Sequence, residues 1–437
     1  MTNFFRKPIY CDSDRVTYIK PKITSARFFL IKEMLEQGFV AAQRQNWLEV
    51  SNLLAQLPQH KIDANKKQLL LTAEDWQTAF NLALRMLLQA DFQHKWEIAK
   101  IFSLFGDRIV EPLSILALDP TVEAEVRWFI CQILGNFPQQ SVILVLVQLL
   151  QQSTNSELIA IAGKTLIKIG DRAVDALVEL MSQPEYTLLA VQSLSYIRTA
   201  ATITPLLTVT THQDAELRGI AINALGSFHD SRIPPILLTA LEDKGSRVRK
   251  EAAIALGFRA DLCQEIDLVK HLQPLLYDLN LEVCRQAAVS LGRMGRDAAN
   301  TALFEVLQAE TTPASFKPDL IKALGWSRLA SGITYLGQAL LDASELVMQE
   351  IIVVLGRTST LELKPQASQI LTDFWQRQPQ SALIKQSLAT SLGELGDRSA
   401  KSILEQLATD GDRKVQLHAM SALRKLIANH NQSSPEK

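Results

Sequence analysis

Metal or nucleophilic chemistry needs histidine, cysteine and acidic side chains at short fixed spacings, and this chain offers none in such a pattern. Its seven histidines, His60, His94, His212, His229, His271, His418 and His430, are scattered and show no metal-ligand spacing. Each reads as a surface or helix-end histidine. The four cysteines, Cys11, Cys131, Cys263 and Cys284, lie far apart with no CxxC pair. Neither a zinc site nor a disulfide framework is therefore expected, and a reducing cytoplasm is the expected location. Cys131, Cys263 and Cys284 fall in or beside apolar helices and read as small buried residues, Cys11 as a surface thiol. There is no GxGxxG, Walker A or GxSxG motif, and no nucleophile can be matched with a base. What the sequence does offer is recognition chemistry: Trp96 and Trp128, each followed one helical turn later by a polar group, Lys100 and Gln132.

Those residues recur together with the helices that carry them. In "SRVRKEAAIALG" (Ser246–Gly257), Leu256 serves as an anchor, with an apolar residue eight positions earlier and small or apolar residues four and one earlier. The same pattern returns at Phe102, Leu134, Leu166, Leu194, Leu225, Leu291, Leu324, Leu355, Leu392 and Leu423, at intervals of 28 to 37 residues. So narrow a period is the mark of a repeat architecture. Each period reads as two helices, the anchor helix and a second apolar helix such as "AVDALVELMSQ" from Ala173, joined by turns such as "GDR" at Gly170 and Gly396. Glycine often follows the anchor directly, as at Gly226, Gly257 and Gly292, where it lets neighbouring backbones approach. One helix pair cannot bury its apolar face alone, so successive pairs must stack. The predicted fold is all-α, a right-handed α-solenoid of about eleven repeats over residues 92–428. Residues 1–91 do not fit the register. Helices over 25–45, 46–57 and 73–89 with a polar link at 58–68 read as an N-terminal helical cap, and 429–437 as a disordered tail.

The segments "RVRKEAAIALG", "ELRGIAINALG", "EVCRQAAVSLG" and "EVRWFICQILG" resemble HEAT repeats, in the short form found in phycobilisome lyases and their relatives. In such solenoids the anchor helices line the concave surface. The resemblance therefore implies that residues six, five and two before each anchor face a groove. On that basis Trp96, Lys100, Trp128, Phe129, Gln132 and Lys164 in the early repeats, and Lys250, Glu251 and Arg285 in the later ones, are the candidate groove residues. Two readings of the tryptophans stand side by side: contact residues for an apolar ligand or segment, or inter-repeat core if the register is one residue off. The resemblance further implies a protein partner, a phycobiliprotein or photosystem subunit, bound by a non-enzymatic scaffold or assembly chaperone. Its alternative implication is a bilin lyase, with an open-chain tetrapyrrole as the bound ligand. No other cofactor is expected. Deoxyhypusine hydroxylases, another HEAT-like group, carry iron-binding His-Glu pairs six and five before the anchor. Here those positions hold Trp128-Phe129, Lys250-Glu251, Arg285-Gln286 and Leu417-His418, so that activity is not expected.

Bulk properties agree with an interaction protein. A formal net charge of −1 and mixed-sign ladders argue against a dedicated nucleic-acid binder, and the charge run "SRVRKE" reads as a solvated helix edge. The opening "MTNFFRKPIYCDSDR" has no apolar core of a signal peptide, and the apolar run "SVILVLVQLL" (141–150) is about half a membrane span. Peripheral membrane association stays open.

Overall fold

The computed structural model describes residues 23–57, 72–377 and 381–432. Cys11, His60, the polar link at 58–68 and the tail beyond 432 lie outside the described residues, as does the side chain of His430. The chain is all-α, a helical-repeat solenoid, with no strand among the described residues. It forms two compact units, one ending at Ala176 and the other beginning at Leu177.

The first unit contains α1 (Ile23–Gln43), α2 (Trp47–Ala55), α3 (Ala73–Gln89) and α4 (Phe92–Ile101). They are followed by α5 (Val110–Leu118), α6 (Ala124–Leu134), α7 (Gln140–Gln152) and α8 (Ser156–Ile169). Helix α9 (Val174–Met181) contains the division. Helix α3 begins where a capping box dictates. The Thr72 hydroxyl accepts from the Asp75 amide at 3.1 Å, and the Asp75 carboxylate accepts from the Thr72 amide at 3.0 Å. Its inner face carries Trp76 and Phe80, which meet Phe102 and Phe105 edge-on at centroid distances of 5.8 to 6.1 Å. Phe102 is the first anchor, yet it does not lie in α4. It opens a 3-10 turn to Ile109, inside which Gly106 takes φ 66°. The run "SVILVLVQLL" lies within α7, whose Val142, Ile143, Leu146, Leu149 and Leu150 are core. No described helix is long and apolar enough to cross a membrane.

The second unit continues with α10 (Thr187–Ile197), α11 (Ala200–Val209), α12 (Ala215–Leu225), α13 (Ile233–Ala240) and α14 (Ser246–Gly257). Next come α15 (Leu268–Leu272), α16 (Leu281–Met294), α17 (Asp297–Gln308), α18 (Lys317–Trp326) and α19 (Ala330–Leu340). The last are α20 (Glu345–Gly356), α21 (Lys364–Arg377), α22 (Ala382–Leu395), α23 (Lys401–Leu407) and α24 (Arg413–Gln432). Helix α24 thus runs four residues into the segment read as a tail. The anchor helices α10, α12, α14, α16, α18, α20, α22 and α24 each pack on the next, forming one layer, and α17, α19 and α21 pack in sequence in a second. All anchors from Phe102 to Leu392 are at most 1% exposed, whereas Leu423, in the last described helix, is half-buried.

Two devices hold successive anchor helices at their spacing. The first is the glycine after the anchor, which faces the small residue one before the next anchor. A Cβ at Gly292 would stand 2.9 Å from Ala323 Cα and 2.5 Å from its carbonyl oxygen, inside any tolerable contact. The second lies seven before the anchor. Arg218 grips the Asp243 carboxylate with two bonds of 2.6 and 2.8 Å and donates to the carbonyls of His212 and Gln213. Arg249 repeats the motif one period later, on Asp278 at 2.6 and 2.7 Å and the Asp243 carbonyl. The run "SRVRKE" is therefore not simply a solvated edge. Its second arginine is 17% exposed and bidentate, because the close helix spacing brings the next repeat's loop carboxylate within reach.

The cysteines divide. Cys131 and Cys284 are buried as expected, but Cys263 is half-buried, in a 3-10 turn at Ala260–Gln264. Burial pushes the Cys131 thiol up to about 12 against the pull of Arg127, which keeps it protonated and inert.

Candidate partner-binding surface

The Asp91 carboxylate accepts from the His94 amide at 3.0 Å and starts α4 at Phe92. That start sets Phe92, Trp96 and Lys100 at successive four-residue steps on one face of the helix. Helix α6 packs beside it and presents Trp128 and Gln132 in the same register. The result is a continuous aromatic stripe. Phe92 stacks on Trp96 at a centroid distance of 6.5 Å and 21°, and Trp96 on Trp128 at 6.5 Å and 29°.

Beneath the stripe sits Phe129, 0% exposed, which meets Trp96 and Trp128 edge-on at 6.3 and 5.1 Å and Phe92 at 5.2 Å. Phe129, expected to face the groove, instead belongs to the core. It is the adjacent residue on α6, so it points about 100° away from Trp128 and into the helix packing. The two tryptophans divide between the two readings of the sequence: Trp96 remains 39% exposed, and Trp128 is half-buried. Phe92, 53% exposed, is the residue the sequence reading passed over. Its signal was the four-residue step before Trp96, outside the ladder positions considered.

Polar groups border the stripe. The Lys95 ammonium, buried, reaches Glu125 at 2.6 Å and ties α4 to α6. Lys100 is exposed and paired with Glu97 on its own helix at 3.0 Å, while Gln132 is half-buried. Lys164 is exposed on α8 and forms no ion pair among the described residues.

Lys250, Glu251 and Arg285 belong to the second unit, where each is already engaged. Glu251 accepts from Asn223 at 2.8 Å and pairs with Lys250 at 3.3 Å. Arg285 holds Asp319 at 3.0 Å and also Glu282. A rule runs through these contacts. The residue two before one anchor meets the residue five before the next, as in Asn223 with Glu251, Lys322 with Glu350 at 3.4 Å, and Thr390 with His418 at 2.9 Å. These side chains form cross-links between repeats. Read as separate ladders, the two positions gave no sign of pairing, because only the helix spacing brings them together.

A family model described as HEAT repeats matches residues 110–195 and 203–291. A deoxyhypusine hydroxylase of Candida glabrata is 28% identical over 137 residues, covering 31% of this chain and 39% of that protein. The chain thus matches about two fifths of that relative's length. Among solved structures, importin beta, crystallised in a polyethylene glycol condition, gives a TM-score of 0.50 at 12% identity over 92% of this chain and 65% of that one. At that identity the likeness speaks for the fold alone. No group of three or more His, Cys, Asp or Glu among the described residues could hold an ion, and no His-Glu pair stands six and five before an anchor.

Proposed function

The chain belongs to the HEAT-repeat family, and on that premise we propose that it is an interaction scaffold whose Phe92–Trp96–Trp128 stripe receives an apolar segment of a protein partner. The observation that carries this reading is the exposure of Phe92 and Trp96, 53% and 39%, on a stripe fixed from below by fully buried Phe129. Rigid aromatics held at low entropic cost, surrounded by polar groups, are the usual core of a binding hot spot. The exposed Lys100–Glu97 pair and the partly exposed Glu125 carboxylate, held by buried Lys95, supply a polar rim.

The partner class implied by the lyase resemblance is a phycobiliprotein or photosystem subunit during assembly. A second reading, transfer of an open-chain tetrapyrrole, draws on the flat stripe and on Lys164, whose ammonium is available to a propionate. One experiment separates them. Tagged wild type and Trp96→Ser are isolated from native cells, their bound proteins identified by mass spectrometry and the visible spectrum recorded. A colourless partner present with wild type and absent with the variant supports the scaffold. A coloured complex lost in the variant supports tetrapyrrole handling. The same proteins bound by both would overturn the role of the stripe.

A further inference from the structure

Two positions after the anchors, the second unit alternates aromatic and basic residues: Phe258, Arg293, Trp326 and Arg357. All four are exposed, Phe258 to 65% and Trp326 to 52%, and the Arg293 guanidinium lies 4.6 Å from the Phe258 ring centroid. Arg293, Trp326 and Arg357 line one cavity of ≈ 500 Å³ together with Arg328, Ser359 and Thr360, and no carboxylate lines it. Elsewhere in this unit Arg218, Arg249, Arg259 and Arg285 each hold a carboxylate. Among the described residues, none of Arg293, Arg328 and Arg357 forms an ion pair.

The backbone conformation of Arg328 supplies a handle for testing its side chain. Four residues after the anchor the helix ends in the left-handed region, and glycine supplies that residue at Gly170, Gly295 and Gly396, with φ 75°, 57° and 71°. At the equivalent place arginine stands in two repeats, Arg198 after α10 with φ 52° and Arg328 after α18 with φ 56°. An L side chain in this conformation is a strain that surrounding structure must support, so glycine can replace Arg328 without backbone cost.

We propose that this cavity binds a phosphorylated small molecule with a planar ring, of the nucleoside-diphosphate class. Three guanidinium forks offer more donors than a single carboxylate can accept, and they match the several oxygens of a diphosphate. The Ser359 and Thr360 hydroxyls add neutral donors, and the Trp326 indole offers a face for a ring. The volume is that of a small-molecule site. The cavity residues belong to the second unit and the aromatic stripe to the first, and either assignment can fail without the other.

The test is isothermal titration of the full chain with ADP, inorganic pyrophosphate, adenosine and citrate. ADP is expected to bind more tightly than pyrophosphate, citrate more weakly than either, and adenosine not at all. Arg357→Ala is expected to weaken ADP by about tenfold or more. Arg328→Gly should weaken it comparably while leaving the melting temperature unchanged or raised, because glycine relieves the left-handed backbone. Absence of ADP binding at millimolar concentration, affinity unchanged in both variants, or citrate binding as tightly as pyrophosphate would each overturn the assignment. Equal affinity for ADP and pyrophosphate would remove the ring contact from it.

Discussion

Asp243 and Asp278 show what a single carboxylate does in this array. Burial pushes each carboxyl up, but the hydrogen bonds from Arg218 and Arg249 and from the amides of Gly245 and Asn280 outweigh it and leave both below the usual carboxylate range. The Arg218 side chain is 5% exposed and its partner 17%. Removing it strands a carboxylate, and Arg218→Ala should cost about 3 kcal/mol in urea unfolding. The pair formed by Arg247 and Glu216, each about half exposed, joins α12 to α14 nearby, and Arg247→Ala should cost less than about 1 kcal/mol. Similar losses for the two variants would refute the distinction. The sequence showed an arginine seven before the anchor in three repeats, Arg127, Arg218 and Arg249, but its acceptor could not be read from it. Arg127 donates to the Ala117 carbonyl instead of a carboxylate.

At the scale of the element, the spacing between anchor helices is set by glycine against a small residue. Gly292→Val drives a side chain into the Ala323 backbone, which cannot yield unless α16 and α18 separate. The expected loss is about 3 kcal/mol or more. Gly411→Ala is the control, since a Cβ there meets nothing within 4 Å. A neutral Gly292→Val in thermal unfolding would show that the helices part at little cost. The same spacing explains the fate of the ladders. In the second unit the polar residues facing out of the anchor helices come close enough to bond one another. In the first unit the aromatics Trp96 and Trp128, six before their anchors, and Phe92, one turn before Trp96, stack on one another instead and remain as a stripe. Phe129→Ala should cost about 4 kcal/mol of stability, as loss of a buried ring does, whereas Trp96→Ala, part-exposed, should cost about 1 to 2 kcal/mol and act mainly on partner binding.

For the whole molecule, the shifted carboxyls fix the response to acid. Asp243, Asp278 and Asp410 lie below their ordinary values, and the Arg232 hydrogen bonds and the charge of that arginine hold Asp230 down to about 2. A carboxyl with a lower pKa folded than unfolded stabilises fully above its unfolded value of about 4 and loses that contribution as the pH falls through the folded value. Stability should therefore hold from pH 7 to about 5 and fall between about 4 and 2. Urea midpoints across that range test this, and a midpoint unchanged at pH 3 would show that the pairs contribute nothing. All four aspartates lie in the second unit.

The sequence by itself determined the fold class, the repeat period, the helix α3 from Ala73 to Gln89 and the buried anchors, because apolar periodicity and caps are local properties of the chain. It also marked the glycines that allow close packing. Tertiary structure alone decided which outward residues are available. Glu251 and Arg285 are engaged by the adjoining repeats, Phe129 is sealed beneath two tryptophans, and Phe92 is left in the open. Whether a polar or aromatic side chain stays free depends on what the neighbouring repeat places within about 3 Å of it. That neighbour lies some thirty positions away in the chain, where local periodicity carries no information about its side chain.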